Sequence, residues 1–178
     1  MKKMMLCMVA VMAMSCAMAA ENVIQSLAFA SKKDFAAWAP KKTYPAYDVA
    51  VADGVAKVTV KEVAEGAKTG FQLMPFFKQG FKKGVTYKVT GTIKSNEALT
   101  VRLCIQLSGA PYTPFKQKDG ATWRRLQLKP GEAQNFEIQF VAPEDITALC
   151  RVPGIHTDAA KAGTVIECSN FKVIEVLP

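Results

Sequence analysis

Val85-Thr86-Tyr87-Lys88-Val89-Thr90-Gly91-Thr92-Ile93 puts its apolar residues at one parity and threonine or lysine at the other. Successive side chains of a β-strand leave on opposite sides, so a period of two marks a strand with one buried and one wet face. Val101, Leu103, Ile105 and Leu107 repeat the pattern and leave Arg102, Cys104, Gln106 and Ser108 on the second face. Phe136, Ile138 and Phe140 do the same against Glu137 and Gln139.

Outward from these three, the segments 49–51, 55–63, 70–75, 122–128, 147–155 and 165–176 show short runs bounded by Gly, Pro, Asn and Asp. That is the signature of many strands and few helices. Asp53-Gly54 supplies the positive φ angles of a tight hairpin between two of them. Pro130-Gly131 and Pro153-Gly154 mark turns or bulges. Between 24 and 45 the pattern is less regular, and Ser31 to Trp38 reads as one helical turn or a loop laying Phe35 and Trp38 on the core. Roughly eight to ten one-sided strands cover one another best as an all-β, two-sheet antiparallel sandwich.

The start of the chain is read separately. Lys2 and Lys3 precede an apolar run that ends in Ala17-Met18-Ala19-Ala20, the layout of a signal peptide cut before Ala20 or Glu21. The expected division is a signal over 1–20 and a single β-sandwich domain over 21–178, placing the protein outside the cytoplasm, secreted or periplasmic. Cys16 offers a second outcome, lipid attachment, although Ala13 stands where such sites favour Leu or Val. The apolar run is shorter than the roughly 20 residues that span a bilayer, so no transmembrane segment is expected.

Without residues 1–20, the net charge of +8 falls to about +6 because Lys2 and Lys3 leave, and Cys104, Cys150 and Cys168 remain of five cysteines. Lys32-Lys33, Lys41-Lys42 and Lys82-Lys83 are scattered and form no basic stripe with interleaved aromatics, which argues against nucleic acid. In an oxidising compartment, Cys150 and Cys168 can bridge if their segments pair as a hairpin, and three buried thiols fit the sequence equally. His156 is the only histidine, which excludes a multi-histidine metal site. It has no G-x-S-x-G elbow to serve, and Asp119, Glu132, Glu144, Asp145 and Asp158 are scattered, so neither a catalytic triad nor a carboxylate pair assembles. The protein reads as a non-enzyme.

The order of segments resembles the carbohydrate-binding modules of families 4 and 9, in the galactose-binding-like jelly-roll superfamily. The likeness runs from Asn22-Val23-Ile24 and Trp38 through Phe71-Gln72-Leu73, Gly84 to Val89, Val101-Arg102-Leu103, Pro111-Tyr112 and Thr122-Trp123 to Gly163 to Ile166 and Ser169 to Val173. It implies a jelly roll whose concave sheet binds a polysaccharide or oligosaccharide. Ser169-Asn170 replaces an aspartate common in that family, which puts a structural calcium in doubt; no other cofactor is implied.

Sugar recognition needs aromatic faces against pyranose rings and planar polar groups against hydroxyls. Arg102 and Gln106 on the wet face, Gln72 if its strand joins the same sheet, and Tyr112 in the neighbouring loop supply them. Phe71 is a further stacking candidate whose parity with Leu73 favours the core, and His156 lies where it can bond a hydroxyl. Trp38 and Trp123 read as packing at the sandwich edge. The alternative function is a structural or protein-interaction role in the cell envelope, with envelope proteins as partners and no glycan, since such a module more often rides on an enzyme.

Overall fold

A computed structural model of the protein describes residues 21–30, 35–38, 46–63, 71–109, 111–157 and 160–177. The signal peptide, its cleavage point and Cys16 lie outside the described residues, as do Lys32-Lys33, Lys41-Lys42 and Asp158. Eleven strands are present among the described residues: β1 (Asn22–Leu27), β2 (Phe35–Trp38), β3 (Ala46–Ala52), β4 (Val55–Glu62), β5 (Phe71–Phe77), β6 (Thr86–Ser95), β7 (Leu99–Leu107), β8 (Arg124–Leu128), β9 (Ala133–Val141), β10 (Cys150–Thr157) and β11 (Val165–Glu175). No helix occurs among the described residues.

They form two antiparallel sheets. One runs β3-β4-β11-β6-β9, with β1 also paired to β11; the other runs β2-β5-β10-β7-β8. β4 pairs with β11 over Val165 to Ser169 and β1 over Phe171 to Glu175, so the two share one long edge of β11 end to end. This is the expected all-β jelly-roll sandwich, and the eight segments from 49 onward expected as strands, with that at 85–94, are strands here. The Asp53-Gly54 turn has φ of 52° and 75°, joining β3 to β4.

The alternation expected for 85–93 is realised: Tyr87, Val89, Gly91 and Ile93 are buried, and Thr86, Lys88, Thr90 and Thr92 are partly open. The core lies between the sheets, with Leu73, Leu103 and Ile155 on one side facing Ile93, Ile138 and Ile166 on the other. Each such side chain contributes about 1.5–3 kcal/mol by leaving water. At one end Phe81 gathers Phe77 (4.6 Å between centroids), Tyr87 (4.8 Å) and Phe140 (5.0 Å) into an aromatic plug.

Two expectations are corrected. Residues 35–38 form neither a helical turn nor a loop but an edge strand, hydrogen-bonded to β5 with Phe35 opposite Pro75 and Trp38 opposite Gln72. Backbone pairing with the sheet outweighs local propensity there. Nor do Cys150 and Cys168 face each other. Cys150 belongs to β10, opposite Phe77 and Leu107, whereas Cys168 belongs to β11, opposite Ala56 and Ile93, because the chain crosses between sheets at this point. Both are free buried thiols, as is Cys104.

Candidate functional site

β10 is the middle strand of the five-stranded sheet, and its register decides which residues meet. Against β7, Gly154 lies opposite Cys104 but Arg151 lies opposite Gln106. Three residues of β10 thus span two of β7, a bulge at Val152–Pro153–Gly154. Beyond it His156 pairs with Arg102 on one side and Gln72 on the other, while Gln72 pairs with Trp38 and Arg102 with Arg125. Trp38, Gln72, His156, Arg102 and Arg125 therefore occupy one cross-strand row. A second row holds Phe76, Arg151 and Gln106, with Gln106 bridged to Pro114. The rows lie on the side opposite Val101, Leu103 and Ile105, which are all in the core.

The loop between β7 and β8 folds over this face. The Phe115 amide donates to the Ile105 carbonyl at 2.8 Å, and the Tyr112 amide to that of Gly109 at 2.9 Å, with Tyr112 at φ 56°. Tyr112 is half exposed, and its ring lies 5.1 Å from the Arg151 guanidinium. Trp123 meets the His156 ring edge-on at 4.8 Å and stands 5.4 Å from the Arg102 guanidinium. Each arginine is thus paired with one aromatic ring, and the two pairs flank a floor of Gly154 and Cys104. A Cβ on Gly154 would stand 3.3 Å from Cys104 Sγ and 3.4 Å from His156 Nε2, so a larger side chain would crowd both.

Of the residues singled out from sequence, the structure brings Arg102, Gln106, Tyr112 and His156 to this face and the Gln72 position into the same row. Phe71 pairs with Thr157, in a row completed by Val101. Thr157 and Val101 are both buried. The face is drier than the alternation of β7 implied: Gln106 is buried, not solvated, because the 108–123 loop covers it. Arg151 and Trp123 were missed. Trp123 was assigned to the edge, and Arg151 stands five residues from His156, an odd interval that strict alternation sends to the opposite face.

Cys104 and His156 stand 4.0 Å apart, the composition of a nucleophile and base, but the thiol donates its hydrogen bond to Gln106 Oε1 at 3.1 Å. Burial pushes the Cys104 thiol up to about 12, against the weaker pull of Arg151 and Arg102 toward thiolate. The shift favours the thiol over the thiolate at neutral pH. Among the described residues no three His, Cys, Asp or Glu side chains cluster as metal ligands. Asn170 sits exposed at a bulge of β11 with φ 57°. An open groove of about 550 Å³ on the other sheet is edged by Glu21, Glu137 and Lys172. Both of these glutamates bind Lys88, at 2.8 and 3.9 Å, so its charges already satisfy one another.

The fold has counterparts among solved structures. A family 4 carbohydrate-binding module (CBM4) superposes with a TM-score of 0.60 at 16% identity over 87% of this chain and 97% of that one. The chain has the fold of a carbohydrate-binding module. The N-terminal cellulose-binding domain of Cellulomonas fimi β-1,4-glucanase C is similar at a TM-score of 0.56 and 15% identity, covering 89% of this chain and 99% of that one. The CBM22-1 xylan-binding domain of Paenibacillus barcinonensis Xyn10C gives 0.55 and 12%, covering 89% and 97%. No protein-family model matches the sequence, and no curated protein matches it.

Proposed function

We propose that this protein is an exported, non-catalytic module that binds a polysaccharide or oligosaccharide across the outer face of the five-stranded sheet. The observation that carries the reading is the pairing of Arg102 with Trp123 and Arg151 with Tyr112 on one face, in a fold shared with carbohydrate-binding modules. Rings supply apolar faces for pyranoses, and the guanidinium and amide groups of Arg102, Gln106 and Gln72, with the His156 imidazole, supply directional hydrogen bonds to hydroxyls. Phe71 stays outside this set. Export rests on the signal-peptide layout of residues 1–20, and mass spectrometry of the mature N-terminus distinguishes cleavage at Ala20 or Glu21 from lipidation at Cys16.

Affinity electrophoresis through a panel of polysaccharides tests the binding. At least one polymer is expected to retard the protein and to shift its tryptophan fluorescence through Trp123. The variant Arg102→Ala/Trp123→Ala should lose at least about tenfold in affinity while keeping a cooperative melt. A broad panel without response sinks the reading; retained affinity in the variant places the ligand on another face.

A further inference from the structure

The two sheets differ in the kind of charge they carry. The strands of the β1-containing sheet hold lysines and carboxylates in equal number, and these pair across its surface, as in Lys61–Asp48 at 2.9 Å and Lys94–Glu167 at 3.8 Å. The strands of the five-stranded sheet hold Arg102, Arg124, Arg125 and Arg151, and no lysine, aspartate or glutamate. Arg124 alternates away and lines a groove with Glu137. Arg102, Arg125 and Arg151 remain on the candidate face.

Arg151 is the decisive one. It is only 9% exposed, yet no described carboxylate reaches it. Its Nη2 has a long 3.5 Å contact to the Ser108 carbonyl, and its Nε is buried with no hydrogen-bond partner. A buried guanidinium with unspent donors and no counter-charge costs free energy, and the cost is recovered when an oxyanion docks on it. The planar fork of arginine suits a carboxylate or a sulfate, which can accept two parallel hydrogen bonds, better than a lone hydroxyl.

We infer that the ligand of this face is an anionic glycan, one whose uronate carboxylate or sulfate ester is received by Arg151, with Arg102 and Arg125 adding to the field. The inference rests on the glycan-binding reading above and narrows it. A neutral chain offers the Arg151 donors single hydroxyl acceptors, with neither the counter-charge nor the paired oxygens of an anion. Tyr112, half exposed over the guanidinium, packs on the ring that bears the anion.

The test measures wild-type affinity, at physiological ionic strength, for polygalacturonate, its methyl-esterified form, dextran sulfate and hydroxyethylcellulose. Binding to polygalacturonate at least about tenfold tighter than to the ester is expected and assigns the anion as a uronate. Tight binding to dextran sulfate alone also supports an anionic ligand and assigns a sulfate ester. Arg151→Gln should lose about tenfold, and Arg151→Lys, which keeps the charge but not the fork, should lose nearly as much. The double variant Lys82→Gln/Lys83→Gln, on an exposed turn elsewhere, should change affinity by less than about twofold. Neutral polymers bound as tightly as charged ones overturn the inference and leave glycan binding standing. No binding to any polymer overturns both. An equal loss in the Arg151 and lysine variants reveals unspecific charge attraction and overturns the inference. The ester comparison uses only the wild-type protein, so it decides even if the Arg151 variants fail to fold.

Discussion

Gly154 sits between two tight neighbours, and that position gives it two consequences at once. An added methyl would press on Cys104 Sγ and His156 Nε2 at 3.3 and 3.4 Å, so Gly154→Ala should lower stability by about 1–2 kcal/mol. It should also fill the floor between the two arginine–aromatic pairs and weaken ligand binding more than the stability loss alone explains. A thermal melt and a binding isotherm on the same sample separate the two effects. Unchanged affinity would mean the ligand does not reach the floor. The residue scale is also where sequence reasoning stopped short. Arg102 and Gln106 are two positions either side of Cys104, so their shared face follows from alternation alone. Arg151 joins that face only through the bulge at 152–154, and nothing in the order of Cys150-Arg151-Val152-Pro153-Gly154 states which way the extra residue turns the strand.

At the scale of elements, the strands legible in advance are those with one wet face. β6 and β9 alternate cleanly, β7 alternates in sequence although its second face is covered at Cys104 and Gln106, and the positions of all three follow from the sequence. β2 does not alternate: Phe35-Ala36-Ala37-Trp38 is too short to display a period, and its strand character comes from β5 beside it. β10 is covered on both faces by the core and the 108–123 loop, which erases the contrast that marks an outer face. Packing between elements makes a sharper demand at Gly91 of β6. A Cβ there would run into the rings of Phe171 and Phe136, which meet edge to face at 5.2 Å over the glycine. The aromatic rings occupy the volume the glycine vacates, a form of aromatic rescue of a strand glycine. Gly91→Ala should therefore cost about 3 kcal/mol or more, read as a drop in melting temperature or as insoluble protein. A melt within a degree of wild type would show that the two rings can retreat.

The described residues hold three thiols in three separate places, and none is bonded to another. Burial pushes Cys104 up to about 12 and Cys150 up to about 11, and it raises Cys168 as well. An unfolded thiol loses its proton near pH 9, below the folded values. The stability these thiols contribute is thus complete below about pH 9 and is lost as pH rises through the folded range. The melting temperature should be flat to about pH 8 and fall above about pH 9. In urea without reductant, Cys104, Cys150 and Cys168 should all take up iodoacetamide, and uptake that requires prior reduction would restore a disulfide. The hairpin expected between Cys150 and Cys168 rested on closeness in sequence; closeness in a sandwich depends on which sheet the chain enters next, a decision made by distant partners.

β11 carries that dependence furthest, since it is bordered by β1 and β4 along one edge and by β6 along the other. Its partners are complete by Ser95, and it begins only at Val165. A chain emerging residue by residue therefore displays β1, β4 and β6 through this interval with the strand that joins them still unmade. Their native sheet cannot close early, and the search for distant partners makes such a topology slow to fold. The order of the strands thus sets the earliest moment at which this sheet can close.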